Sequence, residues 1–226
     1  MNTAGKISVP ALRTLTYCIL IKAILSMVMC SCTVATGFAM THLGQEIPGL
    51  FVIFVIGETV RLLNSIVCII CLAYITALSK RFATAQAFII TGVVMESMVM
   101  LLVGEKAQII THPHGKEEGL IVTVMLAFIV VRRLLKAAGF LQIMKGFGEA
   151  LRKDGRAEQA EGAEKTGSAY MWCNIACVLL TVIFKPGVAV NAIIYFSWAV
   201  MELLMYRQAS SAAFSIWRDR AFSDGE

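Results

Sequence analysis

Charged side chains lie deep inside the apolar stretches of this chain, and that limits its fold more than any other feature. Apolar stretches run at 14–40, 49–78, 85–104, 119–141, 169–184 and 187–208. Within them sit Lys22, Glu58, Arg61, Glu96, Arg132, Arg133, Lys136 and Glu202. Roughly 20 mostly apolar residues suffice for a helix to cross a bilayer. Hydrocarbon offers no hydrogen bonds, so every backbone group must be paired within its own segment and every charge must turn inward. The expectation is an all-α membrane protein: one bundle of six transmembrane helices spanning 1–226.

Composition agrees. Of 226 residues, 58% are hydrophobic and 15% charged, against about 45–50% and 25% in soluble domains. That leaves no room for a large soluble domain. The net charge of +5 is modest and dispersed, so no nucleic-acid partner is expected. The first apolar run, from Leu15 to Met40, contains Lys22 and exceeds the roughly 7–15 residues of a signal-peptide core. It is read as the first span.

Basic residues set the orientation. Twelve Lys and Arg fall in the termini and in the segments after spans two and four, while Lys106, Lys116 and Lys185 fall on the other side. By the positive-inside rule both termini are cytoplasmic, in a cell membrane crossed six times. The polar segment 145–168 is expected as a cytoplasmic loop, its first half extending the fourth helix and the rest a solvated linker. Lys185-Pro186-Gly187 reads as a tight turn between the last two spans.

Helical spacing gathers the polar residues into stripes. Span one aligns Thr14, Cys18, Lys22, Ser26, Thr33 and Thr36. Span two aligns Glu58, Arg61, Ser65, Cys68 and Thr76, with Asn64 at the border. Span five aligns Tyr170, Asn174, Cys177, Thr181 and Lys185. Span six aligns Asn191, Tyr195, Trp198, Glu202 and Tyr206, which puts Ile193, Val200 and Leu204 toward lipid. Asn191, Tyr195 and Glu202 are expected to meet spans one and two. Trp198 is expected to fill the gap, with a partner for its indole N–H.

The hydroxyls and amides are sufficiently explained as contacts between helices. The charges need more, because a central Asp, Lys or Arg costs about 2.5–3.5 kcal/mol to insert. Glu58 and Arg61 are one turn apart and can pair locally. Glu96 has no partner on its own span and is expected to face Arg61 or Lys22. Arg132, Arg133 and Lys136 lie where long side chains can snorkel to the headgroups. The candidate binding residues are therefore Lys22, Glu58, Arg61, Glu96 and Glu202.

Seven cysteines all lie in apolar stretches and read as small buried hydrophobes. His112-Pro-His114 with Glu117 and Glu118 could bind a metal, but a polar turn and helix cap explain it better. The histidines, which include His42, fall outside the bundle, which argues against haem. No catalytic motif is legible, and neither a cofactor nor a metal is expected. The leading expectation is a small-solute or ion permease, or a membrane subunit of a transport complex. The alternative is a non-catalytic structural or regulatory protein. Expected partners are the lipid bilayer and a membrane protein or second copy of the chain.

Overall fold

The computed structural model describes residues 3–42, 48–111, 116–183 and 187–223, with side chains at 9–39, 52–53, 55–98, 124, 127–181 and 187–218. All of the regular structure in these residues is helical. The six helices are α1 (Thr3–His42), α2 (Pro48–Ile75), α3 (Lys80–Thr111), α4 (Lys116–Lys153), α5 (Ala157–Ile183) and α6 (Val188–Ser223). Each packs against the next, α6 returns to α1, and α4 reaches across to α6.

Among the described residues three segments are long and apolar enough to cross a membrane: Val9–Ala39, Val55–Ile75 and Val188–Arg218. The spans expected at 85–104 and 119–141 fall within α3 and α4, and that at 169–184 overlaps α5 as far as Ile183; parts of these helices lie outside the described side chains. The bundle is apolar outside and charged inside. Phe38, Leu63, Met98, Val131, Leu179 and Phe196, one from each helix, are exposed, while Glu96 and Glu202 are buried. Soluble proteins show the reverse.

The main buried cluster joins Leu12, Leu78, Phe82, Phe147, Leu151 and Ile216. It therefore gathers the start of α1, the α2–α3 turn, the α4–α5 turn and the end of α6 at one end of the bundle. Local chemistry fixes both turns. Ser79 caps α3: its hydroxyl accepts the Arg81 backbone N–H at 3.0 Å and donates to Glu149 at 2.5 Å. Arg81 pairs with the same carboxylate at 2.8 Å. At the other turn Gly155 takes φ 75°. The Arg156 N–H bonds the Leu151 carbonyl at 2.9 Å, and the Gly155 N–H bonds that of Arg152 at 3.1 Å. This pair of bonds is a Schellman stop, which favours glycine.

The segment 145–168 differs from its expected form. Its first half does extend α4, to Lys153, but the rest is helix α5 rather than a solvated linker. Average composition concealed the spacing: Phe147, Ala150 and Leu151 on α4 and Ala160 and Ala163 on α5 are all buried. Those residues give a polar segment one apolar face per helix. Of the expected turn at 185–187, Lys185 and Pro186 lie outside the described residues; the Gly187 carbonyl accepts the Asn191 N–H at 3.0 Å.

Candidate functional site

The embedded charges meet inside the circle of helices and form three ionic groups. The first is local to α2. Arg61 Nη1 donates to Glu58 Oε1 at 2.7 Å, the one-turn pair that the spacing implies. Next on the same face, Asn64 donates its Nδ2 to the Cys18 carbonyl of α1 at 2.9 Å. Cys18, Cys68 and Cys71 are buried free thiols near this seam.

The second group joins α1, α5 and α6. Lys22 Nζ lies 3.1 Å from Glu202 Oε1 and donates to the Tyr170 hydroxyl at 2.5 Å. Tyr170 donates in turn to Glu202 at 3.3 Å, and Ser26 donates to the other carboxylate oxygen at 2.7 Å. The ammonium also lies 4.0 Å from the centroid of the Phe140 ring, a cation–π contact from α4. The carboxylate thus has a cation and two hydroxyl donors, which is what a buried charge requires.

The third group overturns an expectation. Glu96 is only 3% exposed, and its partners are on α4: Arg132 Nη1 at 3.0 Å from Oε1, and Lys136 Nζ on Oε2. Neither Arg61 nor Lys22, the partners expected from sequence, pairs with it. Arg132 and Lys136 do not snorkel, since each side chain is about 15% exposed. The reason is steric. Gly92 lies one turn before Glu96, and a Cβ there would come within 2.9 Å of Lys136 Cγ. The missing side chain lets the Lys136 stem cross α3 to the carboxylate. The signal was present as two matched spacings of four, Gly92/Glu96 and Arg132/Lys136. The helix pairing needed to match them was not.

Arg133 points elsewhere, 4.6 Å over the Trp198 ring, and Tyr195 meets Trp198 edge-on at 5.5 Å. Trp198 is buried, and Ile193, Val200 and Leu204 are exposed, so α6 has the orientation its stripe implies. Two details differ. The Trp198 indole N–H has no nitrogen or oxygen partner and faces the Cys177 thiol, a weak acceptor. Glu202 bonds to α1 and α5 rather than α2. Thr14 also departs from its stripe and is exposed.

Between the ionic groups lies a cavity of about 30 Å³, lined by Lys22, Arg61, Asn64, Ser65, Lys136 and Phe140 among others. Three basic side chains from α1, α2 and α4 line it, and among the described residues no acidic one does. Arg61 Nε–H and Asn64 Oδ1 have no protein partner. A volume of this size has room for a water or a comparably small ion.

Among the described residues no group of three or more His, Cys, Asp or Glu could hold a metal. His112, His114 and the side chains of His42, Glu117 and Glu118 lie outside the described residues. Comparison with family models, with curated proteins and with solved structures finds no match for this chain.

Proposed function

We propose that this chain is a six-span membrane protein with both termini cytoplasmic, and that it carries a small anion through the centre of its bundle. The observation behind the reading is the cavity lined by Lys22, Arg61 and Lys136 without a carboxylate. Each of these bases is ion-paired with a carboxylate that is not part of the lining: Glu202, Glu58 and Glu96. Such an arrangement pre-orients positive charge toward one point, at low dielectric, where attraction for an anion is strongest. The embedded bases Lys22, Arg61, Arg132, Arg133 and Lys136 also outnumber the embedded acids Glu58, Glu96 and Glu202. An interior with that excess favours a negative guest. The exposed apolar residues on all six helices support six crossings. The small cavity fits an occluded state, and permeation then requires the bundle to open on either side of it.

A second reading has its own support. All three embedded carboxylates are already ion-paired, and the cavity is small, as expected of a locked scaffold that partners another membrane protein. Proteoliposomes separate the two. Vesicles loaded with chloride, nitrate or formate should lose at least one of these anions faster with the protein than without it. Lys136→Gln or Arg61→Gln should slow that efflux at least tenfold while the protein stays folded and monodisperse. No efflux of any of the three from well-folded protein rejects the permease and leaves the scaffold.

A further inference from the structure

A second cavity, larger than the central one, lies away from the ionic interior, in a groove between the first turns of α1 and the last turns of α6. We propose that this groove holds one anionic phospholipid, with its phosphate on Arg13 and an acyl chain along the apolar floor.

The groove has a volume of about 310 Å³ and is lined by one face of each helix, among them Val9, Arg13 and Thr16 of α1 and Tyr206, Ser210 and Phe214 of α6. Those positions are the terminal ends of two segments, Val9–Ala39 and Val188–Arg218, each 31 residues long. At about 1.5 Å per residue, a segment of that length matches a bilayer including its headgroup layers. The groove therefore sits at headgroup level. Tyr17 and Trp217, both exposed, flank it, and Tyr206 lines it. Amphipathic aromatic rings gather at that level.

The lining has the two chemistries a phospholipid needs. Leu12 and Ile216 are buried and belong to the main core, which gives an apolar floor. Arg13 is exposed and makes no ion pair among the described residues; Thr16 donates to its backbone carbonyl and leaves the guanidinium untouched. Among the described residues no acidic side chain lines the groove. A guanidinium beside two tyrosines offers several donors to a phosphate, with a net positive charge that prefers an anionic lipid over a zwitterionic one. Arg is better suited than Lys to this task because its planar fork can grip two phosphate oxygens.

The inference depends on membrane location and is independent of what the bundle carries. It is tested on the full chain, purified in detergent, by native mass spectrometry with added phosphatidylglycerol or phosphatidylcholine. The wild type should retain one phosphatidylglycerol per chain and show at least a fivefold preference over phosphatidylcholine. Arg13→Gln should abolish that preference, Ser210→Trp should block retention by filling the groove, and Arg207→Gln, an exposed base outside the lining, should leave both unchanged. Equal retention of the two lipids overturns the proposal, as does an unaltered preference in Arg13→Gln or an equal loss in Arg207→Gln. Crosslinking of Trp217→Cys chains into a dimer that excludes lipid would overturn it too, in favour of a second copy of the chain.

Discussion

Gly92 on α3 and Lys136 on α4 pack so closely that a Cβ at position 92 would lie 2.9 Å from Lys136 Cγ. The contact is what lets one carboxylate, Glu96, hold two α4 bases. Gly92→Ala should lower stability in detergent by about 1–3 kcal/mol, the usual range for overpacking. The clash is with a side-chain stem, so Lys136→Ala should relieve it. A double-mutant cycle read by thermal unfolding should give a cost for the pair well below the sum of the two single changes. Additive costs would mean that the two residues do not meet.

Glu202 should be more sensitive than its apolar neighbours. Glu202→Ala leaves Lys22 without its counter-ion and the Tyr170 and Ser26 hydroxyls without their acceptor, and breaking a buried pair from one side costs about 3–5 kcal/mol. Replacing both charges, as Lys22→Met with Glu202→Leu, should recover most of that loss. Detergent melting curves of the three variants decide it: a double variant no more stable than Glu202→Ala would contradict the pairing.

The cluster at the α2–α3 turn should make stability depend on pH. The Ser79 hydroxyl bond, and after it Arg81, lowers the Glu149 carboxyl below its ordinary value of 4.5. A depressed acid stabilises the fold above its unfolded value and loses that contribution as pH falls toward the folded one. Glu149→Gln should therefore melt earlier than wild type at pH 7, with the gap closing through the acidic range below about 4.5. A gap of constant size from pH 7 to pH 3 would refute the assignment. Ser79→Ala should cost more, about 0.5–2 kcal/mol for the cap alone.

The two faces of α6 predict opposite outcomes. Trp198→Ala empties a buried site beside Cys177 and Ile194 and should cost about 3–5 kcal/mol. Leu204→Ala, on the exposed side, should cost far less. Trp198→Phe should be mild, because the indole N–H has only a weak thiol acceptor to lose. Equal melting of the two alanine variants would reverse the orientation of the helix.

Sidedness can be read by cysteine labelling in a background with all seven cysteines replaced. Ala160 is buried, so it is a poor reporter for the α4–α5 end. Glu161, 62% exposed in its side chain, is a good one. Glu161→Cys should label only after the membrane is permeabilised, and Gly187→Cys should label from outside. Both labelling from the same side would defeat the six-span topology.

The sequence alone determined the secondary structure class, the inward stripes and the local pair of Glu58 and Arg61, because these depend on spacing along one helix. A period of about 3.6 residues assigns a face without reference to any neighbour. The tertiary structure decided which faces meet. Glu96 found Arg132 and Lys136 because α3 packs on α4 and Gly92 makes room, and spacing along α3 does not say which helix supplies the partners. Lys22 and Glu202, set 180 positions apart, meet because α6 returns to α1. The helical ends on either side of Gly155 were hidden for a related reason. A short polar helix gains its stability from packing an apolar face, so its Phe147, Leu151 and Ala160 become informative only once there is a core for them to enter.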